Sequence, residues 1–415
     1  MIRIFKTNFS FKEYLPLFLL LCFSGNPIVT NGTYSKNLLI IYAVILLFIV
    51  FEYIGRKIPF PLLDRLAAVI VFIVVLSIFQ QIALGFVSYK GVFALILKIL
   101  VGLFTFLYYQ HKKIDFLHVY IKLLAILVMV SIPFFILNQF VYGGINVSGG
   151  LQKSMILYTP FNPNYKYDGI RNAGMFWEPG AFSGYLLLAL VFIIIKNGKL
   201  VIGQYKKEVL LIILGVITTL STTGYVILGV IIIFYFWQRY KYGKFILLPL
   251  LIGIMSYAYL NLDFLNKKIK HQFLEAAQMK NGDVVVTRFG SFLMDLKYIK
   301  AKPLIGNGLD IKTRFRFDPS ITKDDIGLSN GMSSIIAYWG IPFFMFWLYC
   351  VFKFAYTFSG SIKIALISLF LIVFLLQGET FLNFPLFLSF FVMPFSGKRM
   401  KIKKILQSKN IKIIN

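Results

Sequence analysis

The stretch Gly180-Ala181-Phe182-Ser183-Gly184-Tyr185-Leu186-Leu187-Leu188-Ala189-Leu190-Val191-Phe192-Ile193-Ile194-Ile195 carries no charged side chain and is apolar almost throughout. A helix needs roughly 20 such residues, with a range of about 17–25, to cross a bilayer core about 30 Å thick. The stretch therefore predicts a membrane-spanning helix. The preceding Glu178-Pro179 suits the start of that helix, because proline is favoured in the first turn.

The composition gives the class of the whole chain. Hydrophobic residues make up 59% of the 415 residues and charged residues only 14%, with a mean hydropathy of +0.79. An average soluble protein is about 45–50% apolar and about 25% charged. A disordered chain, a nucleic-acid-binding protein and a soluble Rossmann enzyme are excluded, and we predict an all-α polytopic membrane protein. Cys22 and Cys350 both lie in apolar runs, which gives no support for a disulfide framework.

Comparable apolar runs recur along the chain and predict about twelve transmembrane helices. The pair in the middle has an alternative, because only Ser221-Thr222-Thr223-Gly224 separates its two short halves. A single broken helix there would change the orientation of everything downstream. The predicted spans are about 13–30, 38–54, 66–87, 91–109, 116–137, 180–195, 208–222, 224–238, 245–262, 332–354, 363–382 and 384–396.

The net charge of +27 mostly reports orientation. With both termini cytoplasmic, the inside segments hold 24 Lys and Arg side chains, whereas the short outside loops hold only Lys36 and Lys90. Cytoplasmic cations resist translocation, so this asymmetry is a strong orientation signal. We therefore predict one integral membrane domain over residues 1–415, both ends inside, with a basic cytoplasmic tail at 397–415.

Two predicted outside loops, at 138–179 and 263–331, are too long to be simple connections and hold most of the remaining cations. The first loop ends at Glu178, where the positive end of the following helix stabilises a carboxylate. The alternative is an N-terminal charge within an aromatic interface belt formed by Phe176 and Trp177. Arg171 lies seven residues before Glu178, so the loop can fold it back toward the same mouth.

The second long loop contains a predicted interfacial helix from about Arg288 to Lys300. Arg288 suits a phosphate, because the planar guanidinium pairs bidentately with phosphate oxygens. Binding to anionic lipid headgroups is an equal alternative for Arg288 and the favoured one for Arg314 and Arg316. The apolar residues at helical spacing, which predict that the helix lies on the membrane surface, are Phe289, Phe292, Leu293, Leu296 and Ile299.

Three further groups bear on function. Glu379 ends the eleventh predicted span and places a second carboxylate at the outer mouth, where it either caps and anchors or takes part in chemistry. Lys98 and Lys122 lie within predicted spans without an evident partner. His111, His118 and His271 form no metal-ligand spacing, so a mechanism without metal or cofactor is the default.

In their order these motifs resemble the O-antigen and exopolysaccharide repeat-unit polymerases (Wzy-type), relatives of the O-antigen ligases. The resemblance covers about residues 165–390. One departure concerns the ligases, which generally carry His directly before the Asn of the third motif, where this chain has Ser329. The motifs are Arg171 to Gly180, Ser221-Thr222-Thr223-Gly224, Arg288 leading to Pro303-Leu304-Ile305-Gly306-Asn307-Gly308, Ser329-Asn330-Gly331 through Trp339-Gly340-Ile341, and Glu379 with Pro385.

The resemblance implies a fold related to the C-type glycosyltransferases and an inverting, metal-independent glycosyl transfer between undecaprenyl-diphosphate-linked glycans. It implies a bacterial cytoplasmic (inner) membrane protein that acts on the extracytoplasmic face, with a chain-length regulator and a flippase as further partners and no nucleic acid. Arg171 and Arg288 would stabilise the diphosphate leaving group, and a base would come first from Glu178, then Glu379. The residues assigned to substrate binding are Phe176, Trp177, Asn330, Trp339, Arg314 and Arg316.

Other functions remain as alternatives. A ligase-type transfer is disfavoured by Ser329 but not excluded. A lipid-linked oligosaccharide flippase would place its cations along a central cavity, whereas here only Lys98 and Lys122 lie within spans and Arg171 lies in a loop. A membrane scaffold would leave the loop arginines without a role.

Overall fold

A computed structural model describes most of the chain. The described residues are 11–30, 35–54, 60–140, 156–161, 170–198, 204–239, 288–317 and 330–393, with the single residues 249 and 253. The predicted span at 245–262 and the basic tail at 397–415 therefore lie essentially outside the described residues, as do most of the two long loops.

The described residues are mostly helical, which confirms an all-α architecture. A two-stranded antiparallel sheet, β1 (Pro160–Phe161) and β2 (Arg171–Asn172), is the exception. The helices are α1 Phe11–Phe23, α2 Pro27–Thr30, α3 Ser35–Ile54, α4 Phe60–Leu84, α5 Tyr89–His111, α6 Phe116–Phe140, α7 Pro179–Asn197, α8 Lys206–Thr218, α9 Thr222–Arg239, α10 Arg288–Ala301, α11 Ile311–Arg314, α12 Gly331–Trp339, α13 Ile341–Ser359, α14 Ile362–Leu376 and α15 Pro385–Leu388, with 3₁₀ turns at Phe381–Asn383 and Ser389–Phe391.

Within the described part, five helices are long and apolar enough to cross a membrane. The coarse prediction of a membrane protein is thereby supported, while the number of spans and their orientation stay predictions. Three shorter apolar segments, Asn37–Phe48, Thr222–Phe236 and Ile362–Leu376, accompany them. The five candidate spans are Asp64–Leu84, Tyr89–His111, Phe116–Phe140, Pro179–Asn197 and Ile341–Ser359.

Helix α7 is the centre of the bundle. Every residue from Ala181 to Ile195 is buried, so this helix has no face left for lipid. A helix that is apolar all round is expected to be surrounded by protein when other helices are available. It packs against α6, α8, α9, α13 and α14, and it therefore sets the position of the elements that form the candidate site.

Helices α8 and α9 form a hairpin rather than one broken helix. Thr218, at the end of α8, hydrogen-bonds Asn172 in β2, on the side where α7 begins. Tyr205, which precedes α8, hydrogen-bonds Lys196 at the opposite end of α7. Helix α9 then starts beside the first turns of α7, where Gly224 lies against Ser183. The chain thus reverses direction at residues 219–221.

Three predicted spans have wrong boundaries, each for a local reason. The span at 332–354 is two helices, because Gly340 adopts φ +84° and its close contact with Leu304 leaves no room for a Cβ. The span at 13–30 ends at Phe23, before Gly25 at φ +157°. The span at 384–396 is a series of short buried turns that begins at Pro385, because its apolar residues fill the protein core instead of forming one long helix.

The predicted interfacial helix is present as α10, and the face that it buries against the protein is not its apolar face. Ser291, Asp295 and Tyr298 are buried, whereas Leu293 is exposed. These buried residues follow the helical repeat and lie toward α12, because α10 packs on that helix. The polar side chains of α10 therefore hold it to the protein.

Candidate functional site

Arg171 is anchored at the turn between α8 and α9. It lies in β2 opposite Phe161, is only 8% exposed, and donates from Nε to the carbonyl of Thr219 and from Nη2 to the carbonyl of Leu220, both at 3.0 Å. These bonds use two of the five N–H donors of a guanidinium. Leu220 has φ +48°, a left-handed conformation that costs an L-residue about 1–2 kcal/mol. Arg171 thus stabilises an unfavourable turn directly before α9.

Asn172 extends the same link. Its Nδ2 donates to Ser131 Oγ at 3.1 Å and to Thr218 Oγ1 at 3.0 Å, and its Oδ1 accepts from the amide of Gly174 at 2.9 Å. The Arg-Asn pair therefore fixes the loop before α7 to both α6 and α8. The sequence motif begins with these two residues because both have structural partners across the bundle.

Glu178 occupies the position expected of it. It is the N-cap residue of α7 in an extended conformation, is half-buried, and is followed by Pro179 as the first helical residue. Its carbonyl accepts from the amide of Phe182 at 3.2 Å, while its carboxylate does not cap the helix. The carboxylate is left at the positive end of a 19-residue helix, where a negative charge is stabilised.

A small cavity lies where α7, α9 and the segment after α14 meet. Three separate sequence motifs contribute to it: the start of α7, the Ser-Thr-Thr-Gly turn and the Gly-Glu pair after α14. The lining residues are Gly180, Ser183, Gly184, Leu187, Ser221, Thr223, Gly224, Ile227, Leu375, Gly378, Glu379 and Phe381. The structure thus brings together motifs that are about 40 and 155 residues apart in the chain.

The electrostatics of this cavity favour negative charge. The N-terminal turns of α7 and α9 both line it, and each helix end carries roughly half a positive charge from its aligned peptide dipoles. Unsatisfied N–H groups of a helix N-terminus also bind anions directly. Glu379 is only 6% exposed and lines the cavity together with these two helix ends, so it is a mostly buried acidic residue of the site.

Small residues make this arrangement sterically feasible. A Cβ on Gly184 would overlap the ring of Phe381, and a Cβ on Gly224 would overlap Ser183 Oγ. Ser183 and Gly184 were missed as site residues by the sequence reasoning. The spacing of Gly180, Gly184 and Leu187 along one helical face was the signal that could have found them.

Asn330 is assigned to substrate binding by the resemblance, but its side chain is occupied by protein. Its Oδ1 accepts from the amides of Met332 and Ser333 and caps α12, while Nδ2 donates to Gln377 Oε1 at 2.7 Å. A Cβ on Gly331 would overlap the carbonyl oxygen of Glu379. The start of α12 is therefore packed directly on the segment that carries Glu379, and Asn330 contacts that segment, while its assignment to substrate binding stays a prediction.

Two of the three aromatic side chains proposed to stack on sugar rings belong to the core instead. Phe176 is fully buried and stacks on Tyr185 with ring centroids 4.3 Å apart. Trp339 is 1% exposed and stacks on Phe343. Burial of large apolar surface explains both positions. Trp177 is half-buried and stacks on Phe384 at 4.6 Å, so it is the one of the three with surface left for a ligand.

Arg314, which the resemblance assigns to substrate binding, is buried and paired within the protein. It is 1% exposed and pairs with the fully buried Asp295, and its guanidinium lies 4.5–5.1 Å from three aromatic ring centroids, those of Phe315, Tyr298 and Tyr338. Burial raises the pKa of Asp295, and the charge of Arg314 opposes that rise. The pair is 19 residues apart in sequence, which is why composition and spacing did not reveal it.

The remaining predicted cations differ in what the structure describes. Arg316 is exposed and lies 4.6 Å from the ring centroid of Phe317. The backbone of Arg288 begins α10, but its side chain lies outside the described residues, so its assignment stays a prediction.

Among the described residues, no group of three or more His, Cys, Asp or Glu side chains is arranged to hold a metal ion. His118 instead hydrogen-bonds Tyr205, and His271 lies outside the described part.

No protein-family model, curated protein or solved structure matches this chain. The assignment of function therefore depends on the residues themselves and on the geometry of the cavity.

Proposed function

We propose that this protein polymerises undecaprenyl-diphosphate-linked oligosaccharide repeat units by inverting glycosyl transfer at the outer face of the bacterial cytoplasmic membrane. The observation that carries the proposal is the meeting of two helix N-termini and the buried residue Glu379 in the lining of one cavity, with Arg171 anchoring the turn at its edge. This combination offers positive potential that stabilises a leaving diphosphate. It also offers a buried acidic residue that can accept the proton of the attacking hydroxyl.

The proposed reaction needs both of these properties. An acceptor hydroxyl oxygen attacks the anomeric carbon of the donor glycan, and the bond from that carbon to the diphosphate oxygen breaks with its electron pair. Charge that develops on the diphosphate is stabilised by preorganised dipoles and cations. A carboxylate close to the acceptor hydroxyl takes its proton. Glu379 is the better candidate for this base because it lines the cavity, whereas Glu178 occupies the N-cap position of α7 and is not among the lining residues.

The positions of the intramembrane lysines support an enzyme over a lipid-linked oligosaccharide flippase. Lys98 donates to the carbonyl of Asn383 at 2.8 Å, and Lys122 is 8% exposed on α6. Neither lysine lines the cavity. A flippase for an anionic headgroup would instead be expected to present cations along an open path through the described helices.

The direct test uses the purified full-length protein in detergent or vesicles with a lipid-linked repeat unit as both donor and acceptor. We expect products that increase in size by whole repeat units and that retain one lipid diphosphate per chain. Release of undecaprenyl diphosphate should match the number of bonds formed. Absence of chain growth, together with movement of the lipid-linked unit from one leaflet to the other within a vesicle, would favour the flippase instead. Transfer to a lipid A core acceptor, with no chain growth, would favour the ligase.

A further inference from the structure

The first residues of α12 are joined to the segment that precedes Glu379 by a pair of side-chain amides. Asn330 Nδ2 donates to Gln377 Oε1 at 2.7 Å, and Gln377 Nε2 points back to Met332 Sδ at 3.1 Å. Asn330 is only 6% exposed, so this bond is shielded from competing water. Gln377 is two residues before Glu379, so the amide pair links α12 to the segment that carries Glu379.

The backbone contact beside this pair is equally close. A Cβ on Gly331 would overlap the carbonyl oxygen of Glu379 and would come within 2.7 Å of the carbonyl oxygen of Leu376. Only glycine allows the start of a helix to approach another backbone so closely. The Glu379 main chain therefore packs directly on the first residues of α12.

Helix α12 is itself held from the opposite side. Ser333 Oγ donates to Asp295 Oδ2 at 2.6 Å, and Asp295 pairs with Arg314. At the other end, Gln80 Nε2 donates to the carbonyl of Tyr338 at 2.9 Å. The helix is thus fixed to α10, α11 and α4, none of which lines the cavity.

We propose that Asn330 is a positioning residue, which fixes the Glu379 carboxylate in the cavity by holding Gln377 through its side-chain amide. The role of this positioning in glycosyl transfer rests on the proposed function. The positioning of Glu379 through the Asn330–Gln377 hydrogen bond can be tested without that function. Asn330 contributes no atom to the cavity lining, so its effect passes through Gln377.

The competing explanation is that Asn330 matters only as the cap of α12. Serine, aspartate and asparagine are about equally good N-cap residues. Asn330→Ser keeps the cap but is too short to reach Gln377. Asn330→Asp keeps the cap and also an oxygen at the right distance, to which Gln377 can donate after its amide group turns over. The two variants therefore separate capping from positioning.

The kinetic test compares Asn330→Ser, Asn330→Asp and Gln377→Ala in the purified full-length protein. Displacing a reacting group by about 1 Å can cost on the order of 100-fold in rate. We expect kcat to fall at least tenfold, about 1.4 kcal/mol, in Asn330→Ser and Gln377→Ala with KM within about twofold, and to stay within about threefold of wild type in Asn330→Asp. Wild-type kcat in Asn330→Ser would overturn positioning, since capping is preserved there.

A second measurement does not depend on enzymatic activity. Replacing the native cysteines (Cys22→Ser and Cys350→Ser) leaves a cysteine introduced as Glu379→Cys, at a cavity-lining position, as the thiol that a small methanethiosulfonate reagent can label. In that background we expect Asn330→Ser to change the labelling rate of residue 379 several-fold and Asn330→Asp to leave it unchanged. An unchanged rate in Asn330→Ser would refute positioning. A wild-type protein that makes no polymer would refute the proposed function while this labelling result still decides the role of Asn330.

Discussion

Arg171 Nη2 donates to the carbonyl oxygen of Leu220 at 3.0 Å, and Leu220 holds a left-handed backbone with φ +48°. The arginine therefore stabilises a backbone conformation that leucine disfavours. This turn directly precedes the N-terminus of α9, which lines the cavity. A cation placed in this way has two consequences. It maintains the orientation of the α9 N-terminus, and it adds positive potential beside the cavity.

Arg171→Ala is expected to abolish long-chain polymer while single repeat units are still exported, because both contributions are lost. Each hydrogen bond to a charged donor contributes about 1.5–3 kcal/mol, so the turn should also loosen. Arg171→Lys should recover little, since an ammonium cannot reproduce the planar fork that reaches two carbonyls. Glycan ladders from complemented mutant cells measure the outcome.

Arg316→Ala is the matched control for this experiment. Arg316 is an exposed cation on a ring face and is not among the residues that line the cavity. Its removal should leave ladders of normal length at equal protein level. Normal ladders from both Arg171→Ala and Arg316→Ala would contradict the assignment of Arg171.

Glu379→Gln should lower kcat by about 100-fold or more, the usual contribution of a general base, with little change in protein level. Glu178→Gln should have a smaller effect, because a charge at a helix N-terminus contributes about 0.3–1 kcal/mol. Initial rates of polymer formation with purified protein distinguish the two carboxylates. A larger loss in Glu178→Gln than in Glu379→Gln would reverse the assignment.

The sequence was sufficient for the helical membrane class and for the start of α7. Hydrophobicity over a long window is a direct consequence of bilayer thickness, and the Glu178-Pro179 pair marks a helix start by local stereochemistry alone. Both features depend on residues that are neighbours in the chain. For the same reason the Ser-Thr-Thr-Gly turn could be located from the sequence. The contact between this turn and Arg171 could not, because it joins residues that are distant in the chain.

The errors have a common physical origin in contacts that are distant in sequence. Residues 384–396 are apolar enough for a span but fill the core between other helices, and hydropathy does not distinguish these two environments. Phe176 and Trp339 were assigned to sugar stacking by residue type, whereas their burial depends on Tyr185 and Phe343. Arg314 looked like a loop cation because Asp295 was not recognised as its partner.

Gly184→Ala should damage the cavity without removing any polar group. The added Cβ overlaps the ring of Phe381, which also lines the cavity. Overpacking of this kind costs about 1–3 kcal/mol, and the displaced ring would enter the space beside Glu379. We expect a lower melting temperature in detergent and reduced polymer yield. Gly184→Ala combined with Phe381→Leu should regain part of both, and wild-type values in the single variant would contradict the packing argument.

The buried Asp295–Arg314 pair leads to a different prediction, because its members line no part of the cavity but hold the helix on which Glu379 rests. Removing one member, as in Asp295→Leu, leaves an uncompensated buried charge and should cost about 3–5 kcal/mol. Arg314→Met should be similarly destabilising.

The double variant Asp295→Leu with Arg314→Met carries neither charge and should be more stable than either single variant, because replacing a buried pair by apolar side chains is often neutral or stabilising. Thermal unfolding of the four proteins in detergent gives the coupling free energy directly. Losses that simply add would contradict the pairing. Ser333 would lose its hydrogen-bond acceptor in Asp295→Leu. We therefore expect the double variant to form less polymer even where its stability is restored. This outcome would distinguish the stability of α12 from its alignment on Glu379.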